Sequence, residues 1–201
     1  MSLKRNTFLA QLAFVALSLF CWLAGAAEKY VGHCDVGFEG DSTLHGFMGD
    51  ITNVPVTVIC DTNGSGEALL NTRFEIGPRQ LTTHHAKRDA NMYKMFQSDR
   101  FPKLLVVVSN APLAAAILSP TSNSTGPGSL PVQLTFCGIT KEVRATTIHP
   151  LRVTEGFEFE LETDISLKDF KLKPPSVLLG TISVRDTVKV KAHVKLQKAT
   201  R

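Results

Sequence analysis

The chain has 201 residues, 43% hydrophobic and 20% charged, with 14 Gly and 10 Pro. These proportions fit one ordinary globular domain and exclude a disordered, collagen-like or coiled-coil chain. Lysine and arginine outnumber aspartate and glutamate by only 22 to 18, with the charges interspersed, which is not the basic face that nucleic-acid binding requires.

The first element is an export signal. Lys4 and Arg5 precede an almost wholly apolar stretch over residues 9–23, and Ala24-Gly25-Ala26-Ala27 stands before Glu28-Lys29. A basic start, an apolar middle and small residues at the exit are the three parts of a secretory signal. Cleavage after Ala26 or Ala27 is therefore expected, with residues 1–27 as signal and 28–201 as a single domain. A membrane anchor needs about 20 apolar residues, and residues 8–27 approach that length. The small exit residues and the lack of a basic stop cluster favour cleavage, and bulky Phe20 before Cys21 argues against a lipoprotein signal. The expected product is soluble and periplasmic or secreted. Its formal charge falls from +4 to +2 once Lys4 and Arg5 leave.

Cleavage leaves Cys34, Cys60 and Cys137. An odd count in an oxidising compartment suggests one disulfide and one free thiol. Cys34 and Cys60 fall in the first two strand-like runs and are the candidate pair, closing a loop of about 26 residues worth ~3 kcal/mol if unstrained. Three buried free thiols is the alternative. None of the three has C-x-x-C spacing, so no cysteine metal site is expected.

Beyond the signal the dominant period is two, the mark of strands with one dry and one wet face. Weaker alternation occupies residues 31–38, 51–60, 68–76, 104–109, 130–136 and 143–153. It is strict at 157–165, where Phe157, Phe159, Leu161, Thr163 and Ile165 alternate with Glu158, Glu160, Glu162 and Asp164. It is equally strict at 187–196, where Val188, Val190, Ala192, Val194 and Leu196 alternate with Lys189, Lys191, His193 and Lys195. If these two strands pair, the acidic and basic stripes complement each other on the solvent side. Turn clusters at 61–66 and 119–129 punctuate the series. Residues 83–98 break the period: Met92, Met95 and Phe96 recur at helical spacing, predicting a short amphipathic helix around 86–97 that caps one end of the sheet. Eight antiparallel strands with one covering helix point to an all-β closed barrel, which removes exposed edges. Such a barrel is either filled by side chains or holds one small ligand.

Several landmarks then fall in order. They are Phe38-x-Gly40 with Ser42-Thr43-Leu44-His45-Gly46-Phe47; Lys87-Arg88-Asp89-x-x-Met92; Phe101-Pro102; the run from Leu134 through Cys137-Gly138 to Val143; and Val184-x-Asp186-x-Val188-x-Val190. Together, over residues 30–196, they resemble the YceI-like family of exported, lipocalin-like proteins. The resemblance implies an eight-stranded antiparallel barrel whose apolar pore holds a polyisoprenoid or similar lipid, without catalysis and without a cofactor. Carried onto this chain, the ligand-binding positions are Phe38, Phe74, Leu134, Phe136, Phe159 and Leu161, with Met92, Met95 and Phe96 at the mouth. These last three read equally as helix core. A charged or quinone head group would find His85 or Arg88. The protein is then a carrier or store for a small lipophilic ligand, its helix a movable cap, with transient membrane contact for loading. Oligomeric state is left open.

Two rival readings stand beside it. One is a filled barrel serving as a structural or protein-interaction module. The other, more distant, is a metal-dependent hydrolase using His45, His84 and Asp89. Adjacent His84 and His85 in extended backbone point apart, and Ser42 lies in no G-x-S-x-G elbow, so neither a metal nor a catalytic site is expected. Asn63 and Asn123 match glycosylation acceptors but sit in turns where Asn belongs.

Overall fold

The structure is a computed structural model that describes residues 27–116, 128–153, 155–177 and 182–200. The expected export signal up to residue 26 and the expected 119–129 loop up to residue 127 lie outside the described residues.

Alternating sequence becomes paired strand along most of the described chain. The strands are β1 (Glu28–Ser42), β2 (Gly46–Thr62), β3 (Ala68–Ile76), β4 (Leu104–Pro112), β5 (Gly128–Phe136), β6 (Ile139–Val153), β7 (Gly156–Ser166), the two-residue β8 (Ser176–Val177) and β9 (Ile182–Lys198). Each of the first six pairs antiparallel with the next, β7 pairs with β9, and β9 returns to β1 over Tyr30↔Lys198 to Ser42↔Val184. The sheet closes as the eight-stranded barrel the alternation predicts. β8 is an addition, paired only to the start of β9.

The charged stripes meet as expected. Glu158 lies opposite Lys195, Glu160 opposite His193 and Glu162 opposite Lys191. Lys191 Nζ is 2.9 Å from Glu162, and His193 Nε2 is 2.9 Å from Glu158. Hydrogen bonds from Lys195 and His193 hold the Glu158 carboxyl below its usual range. Exposed pairs of this kind contribute a few tenths of a kcal/mol and mainly set register. The other face of the same two strands buries Phe157, Phe159, Val194 and Leu196.

β9 tolerates no side chain on its neighbours at two points, one on β1 at the closing seam and one on β7. A Cβ on Gly32 would stand 1.9 Å from the Lys195 carbonyl oxygen, and one on Gly156 1.9 Å from that of Leu196. Glycine there is a packing requirement, because the backbones approach too closely for any larger residue.

The two barrel ends differ. At one lie the β2–β3 turn and the β6–β7 turn, where Tyr30 packs on Phe157 with ring centroids 5.1 Å apart. The β1–β2 hairpin, the β3–β4 connection, the β5–β6 turn and the β7–β9 connection gather at the other. The β5–β6 turn is Cys137-Gly138, both at positive φ (51° and 77°), the two-residue geometry that matches strand twist. Its Cys137 thiol donates to the Phe96 carbonyl at 3.1 Å.

Helix α1 (Ala86–Met95) sits at this second end. It stops short of residue 97 because Gln97 adopts a left-handed φ of 48°. β2 pairs with β3 only over Val58–Thr62, so the first half of β2 has an open edge. Thr82 takes part of that edge, exchanging backbone hydrogen bonds with Asp50 at 2.8 and 3.0 Å, and this docks the lead-in of α1.

The Cys34–Cys60 disulfide is not made: all three cysteines are free. Cys34 pairs with Val54 and Cys60 with Glu28. That puts them six register positions apart, roughly 20 Å at 3.3 Å per residue.

Candidate functional site

The barrel encloses a cavity of about 620 Å³ rather than a filled interior. Every one of the eight barrel strands contributes to its wall, with Cys34, Val36 and Phe38 from β1, Leu134 and Phe136 from β5, and Val188 to Val194 at alternate positions of β9 among them. The pleat explains this: odd and even positions take opposite faces, so each run's dry stripe becomes wall. Met92, Met95 and Phe96 of α1 and its end close the wall on the hairpin side.

All nine apolar positions expected at a ligand, Phe38, Phe74, Met92, Met95, Phe96, Leu134, Phe136, Phe159 and Leu161, border this one cavity, as do His85 and Arg88. Phe96 and Phe136 meet edge to face with centroids 4.6 Å apart, and Phe170 backs Phe136 at 6.0 Å. The α1 end is thereby anchored to β5 by aromatic packing as well as by the Cys137 thiol.

The polar groups concentrate at the mouth. Ser42 and His45 come from the β1–β2 turn, Thr83, His85, Lys87, Arg88 and Asn91 from α1 and its lead-in, and Ser183 from the start of β9. No aspartate or glutamate is among the lining residues. Arg88 donates from Nη2 to the Thr83 carbonyl at 2.7 Å, its guanidinium carbon lies 5.4 Å from the Phe47 ring centroid, and its buried Nε has no hydrogen-bond partner.

The lead-in is clamped from several sides. Asp89 accepts from Thr82 Oγ1 at 2.9 Å, from Thr83 N at 2.7 Å and from Thr83 Oγ1. Burial pushes the Asp89 carboxyl up, but the Thr83 and Thr82 hydrogen bonds and the Arg88 charge outweigh it and leave it below its usual value. Tyr93 OH donates to the Leu81 carbonyl at 2.7 Å, and His84 Nε2 lies 2.7 Å from Asp50 Oδ2. His85 caps α1, its Nδ1 accepting from Arg88 N.

These bonds leave no shared metal site. His84 turns to Asp50, Asp89 to the two threonines, and His45 stands in the hairpin; among the described residues no three His, Cys, Asp or Glu side chains are grouped to hold an ion. Cys34 is a poor nucleophile, because burial, reinforced by Asp35, pushes its thiol up to about 12.

A closed antiparallel barrel, one capping helix and an apolar interior with a polar mouth now stand together. The sequence matches the YceI-like domain over residues 31–196. The chain belongs to the YceI-like family. Among solved structures it is similar to a polyisoprenoid-binding domain from Saccharophagus degradans implicated in plant cell wall breakdown, with 14% identity and a TM-score of 0.54, covering 86% of this chain and 99% of that one. It is similar also to Burkholderia cenocepacia BcnA, with 15% identity and a TM-score of 0.57, covering 83% and 96%. At these identities the likeness is one of fold. No curated protein matches the chain.

Within this YceI-like barrel, reading for aromatic and methionine residues misses the small and β-branched wall: Val106, Val132, Ala145, Val188, Val190 and Ala192 all line the cavity. The signal for the β9 residues is present in the strict alternation of 187–196. Phe47 and Lys87 also line it, and their positions depend on a hairpin and a helix docking that no local pattern encodes.

Proposed function

We propose that this YceI-like protein holds a lipid with a long apolar chain, an isoprenoid by preference, inside the barrel, and that it acts after export as a carrier or store without catalysis. The observation that carries the reading is the apolar cavity of about 620 Å³ running through the wall of all eight strands. The similarity of fold to a polyisoprenoid-binding domain supports it, as does the signal-like N-terminus. With a methylene taking about the space of a water molecule, roughly 30 Å³, the cavity accepts on the order of 20 carbons, or about four isoprene units. Burial stabilises each methylene by about 0.8 kcal/mol before ordering costs. The head group lies at the mouth, where His85 and Arg88 offer donors and Arg88 Nε has a bond to make.

The test is displacement of a polarity-sensitive fluorescent probe by isoprenoid alcohols of increasing length. Affinity is expected to rise with each unit and to flatten beyond about 20 carbons, where the chain outgrows the cavity. Failure of every length to displace the probe, or to bind at all, would overturn the reading.

A further inference from the structure

We infer that the mouth of the barrel docks on an anionic lipid bilayer, with the tip of the β1–β2 hairpin entering the interface and the cations of α1 meeting the head groups. Of the described large apolar side chains, only three are conspicuously exposed: Val31 at 38%, Leu44 at 66% and Met48 at 70%. Val31 lies toward the far end of β1. Leu44 and Met48 belong to the hairpin whose inner side, through Ser42, His45 and Phe47, forms the lip of the cavity.

Leu44 is held outward by construction. Ser42 Oγ donates to the His45 carbonyl at 2.8 Å and accepts from Leu44 N and His45 N at 3.3 and 3.2 Å. Thr43 N donates to the Ser183 carbonyl at 3.1 Å, tying the tip to β9. Met48 is outward because its neighbour Phe47 points in. The hairpin beside the cavity mouth thus presents two large apolar side chains to water.

The same lip carries positive charge. Arg88 stacks over Phe47, which joins the first turn of α1 to the hairpin, and exposed Lys87 stands beside it with no ion pair among the described residues. Two of the carboxylates nearby are already engaged, Asp89 by Thr82 and Thr83 and Asp50 by His84, and Glu39 stands opposite Lys189 in the β1–β9 register. Asp41 lies at the hairpin's tip, opposite Gly46. Apolar tips flanked by basic residues are the combination that seats on anionic bilayers, and a chain leaving the cavity would pass directly between them. The inference goes beyond lipid holding, since the surface needs no occupied cavity.

The test is vesicle flotation. All barrel strands lie and pair within Glu28–Lys198, so the chain from Glu28 onward is used. It is expected to float with phosphatidylglycerol–phosphatidylcholine vesicles, not with phosphatidylcholine alone, and to be released at about 1 M salt, where screening shortens to ~3 Å. Leu44→Asp/Met48→Asp should lower the bound fraction by at least tenfold with an unchanged melting temperature, since both side chains are exposed. Equal flotation of parent and variant, equal flotation on neutral vesicles, or flotation only with protease-sensitive native membranes would overturn docking on lipid. Uptake of a fluorescent prenyl probe from solution separates the two readings. Uptake without flotation overturns docking and leaves lipid holding intact, whereas flotation without uptake supports docking while removing lipid holding.

Discussion

Ala192→Phe is the substitution that most directly probes the interior. Ala192 sits on β9 between Val36 of β1 and Leu161 of β7, and all three line the cavity. The ring adds six carbons, about 180 Å³ at a water-like volume each, less than a third of the 620 Å³ present. It therefore enters open space rather than a packed core, and the usual overpacking penalty of about 1–3 kcal/mol is largely avoided. The ring displaces about six methylenes of ligand, worth up to ~5 kcal/mol at 0.8 kcal/mol each, or more than a thousandfold in Kd. Thermal melting should shift by only a few degrees, while probe titration and lipid extraction both show loss of the ligand. Lys189→Phe, which puts the same ring on the outer face of the same strand, should bind like the parent. Unchanged affinity in folded Ala192→Phe would refute the placement of the ligand inside the barrel.

Gly32→Ala must part β1 from β9 at the seam, because its Cβ would lie 1.9 Å from a backbone carbonyl; a loss of about 3 kcal/mol or more, read as a drop in melting temperature of at least ~5 °C, is expected. Asp89→Asn tests the clamp and has a defined pH dependence. The folded carboxyl lies below its usual 3.8, so its stabilisation is fully present above the unfolded value and is lost as pH falls through the folded one. The parent should therefore exceed Asp89→Asn in stability by a constant amount near neutrality, and the gap should close in acid below about pH 3.8; a gap independent of pH would contradict this. For the cysteines, intact mass should not change on reduction, and alkylation at mildly alkaline pH should spare Cys34, whose thiol is pushed up to about 12, until the protein is unfolded.

Much of the fold was legible because one physical constraint, a dry face and a wet face on each strand, writes itself into alternate residues. The stripes Glu158 to Asp164 and Lys189 to Lys195 were complementary on the condition that their strands pair, and they do. The extent of β1 and β2 was not legible: Gly37, Gly40, Asp41, Gly46 and Asp50 are poor strand formers that pair only because the barrel closes around them. The same gap explains the disulfide error. Without the turn at 43–45 the register of the first hairpin is unknown, and Cys34 and Cys60 look adjacent when they are six positions apart. In the site, large side chains stood out, whereas Val190 or Ala192 matter only as surfaces of an enclosed space. The clamp on α1 rests on Asp50, Thr82, Thr83 and Asp89, residues brought together by the open edge of β2 and individually unremarkable in sequence.

The most direct test of the central claim is native mass spectrometry on protein purified without detergent from an exporting host, followed by organic extraction of the sample. The account predicts a discrete added mass on the folded barrel, released as a lipid with a long apolar chain and absent from Ala192→Phe. A clean mass of the chain alone, with added isoprenoids also failing to bind, would contradict it.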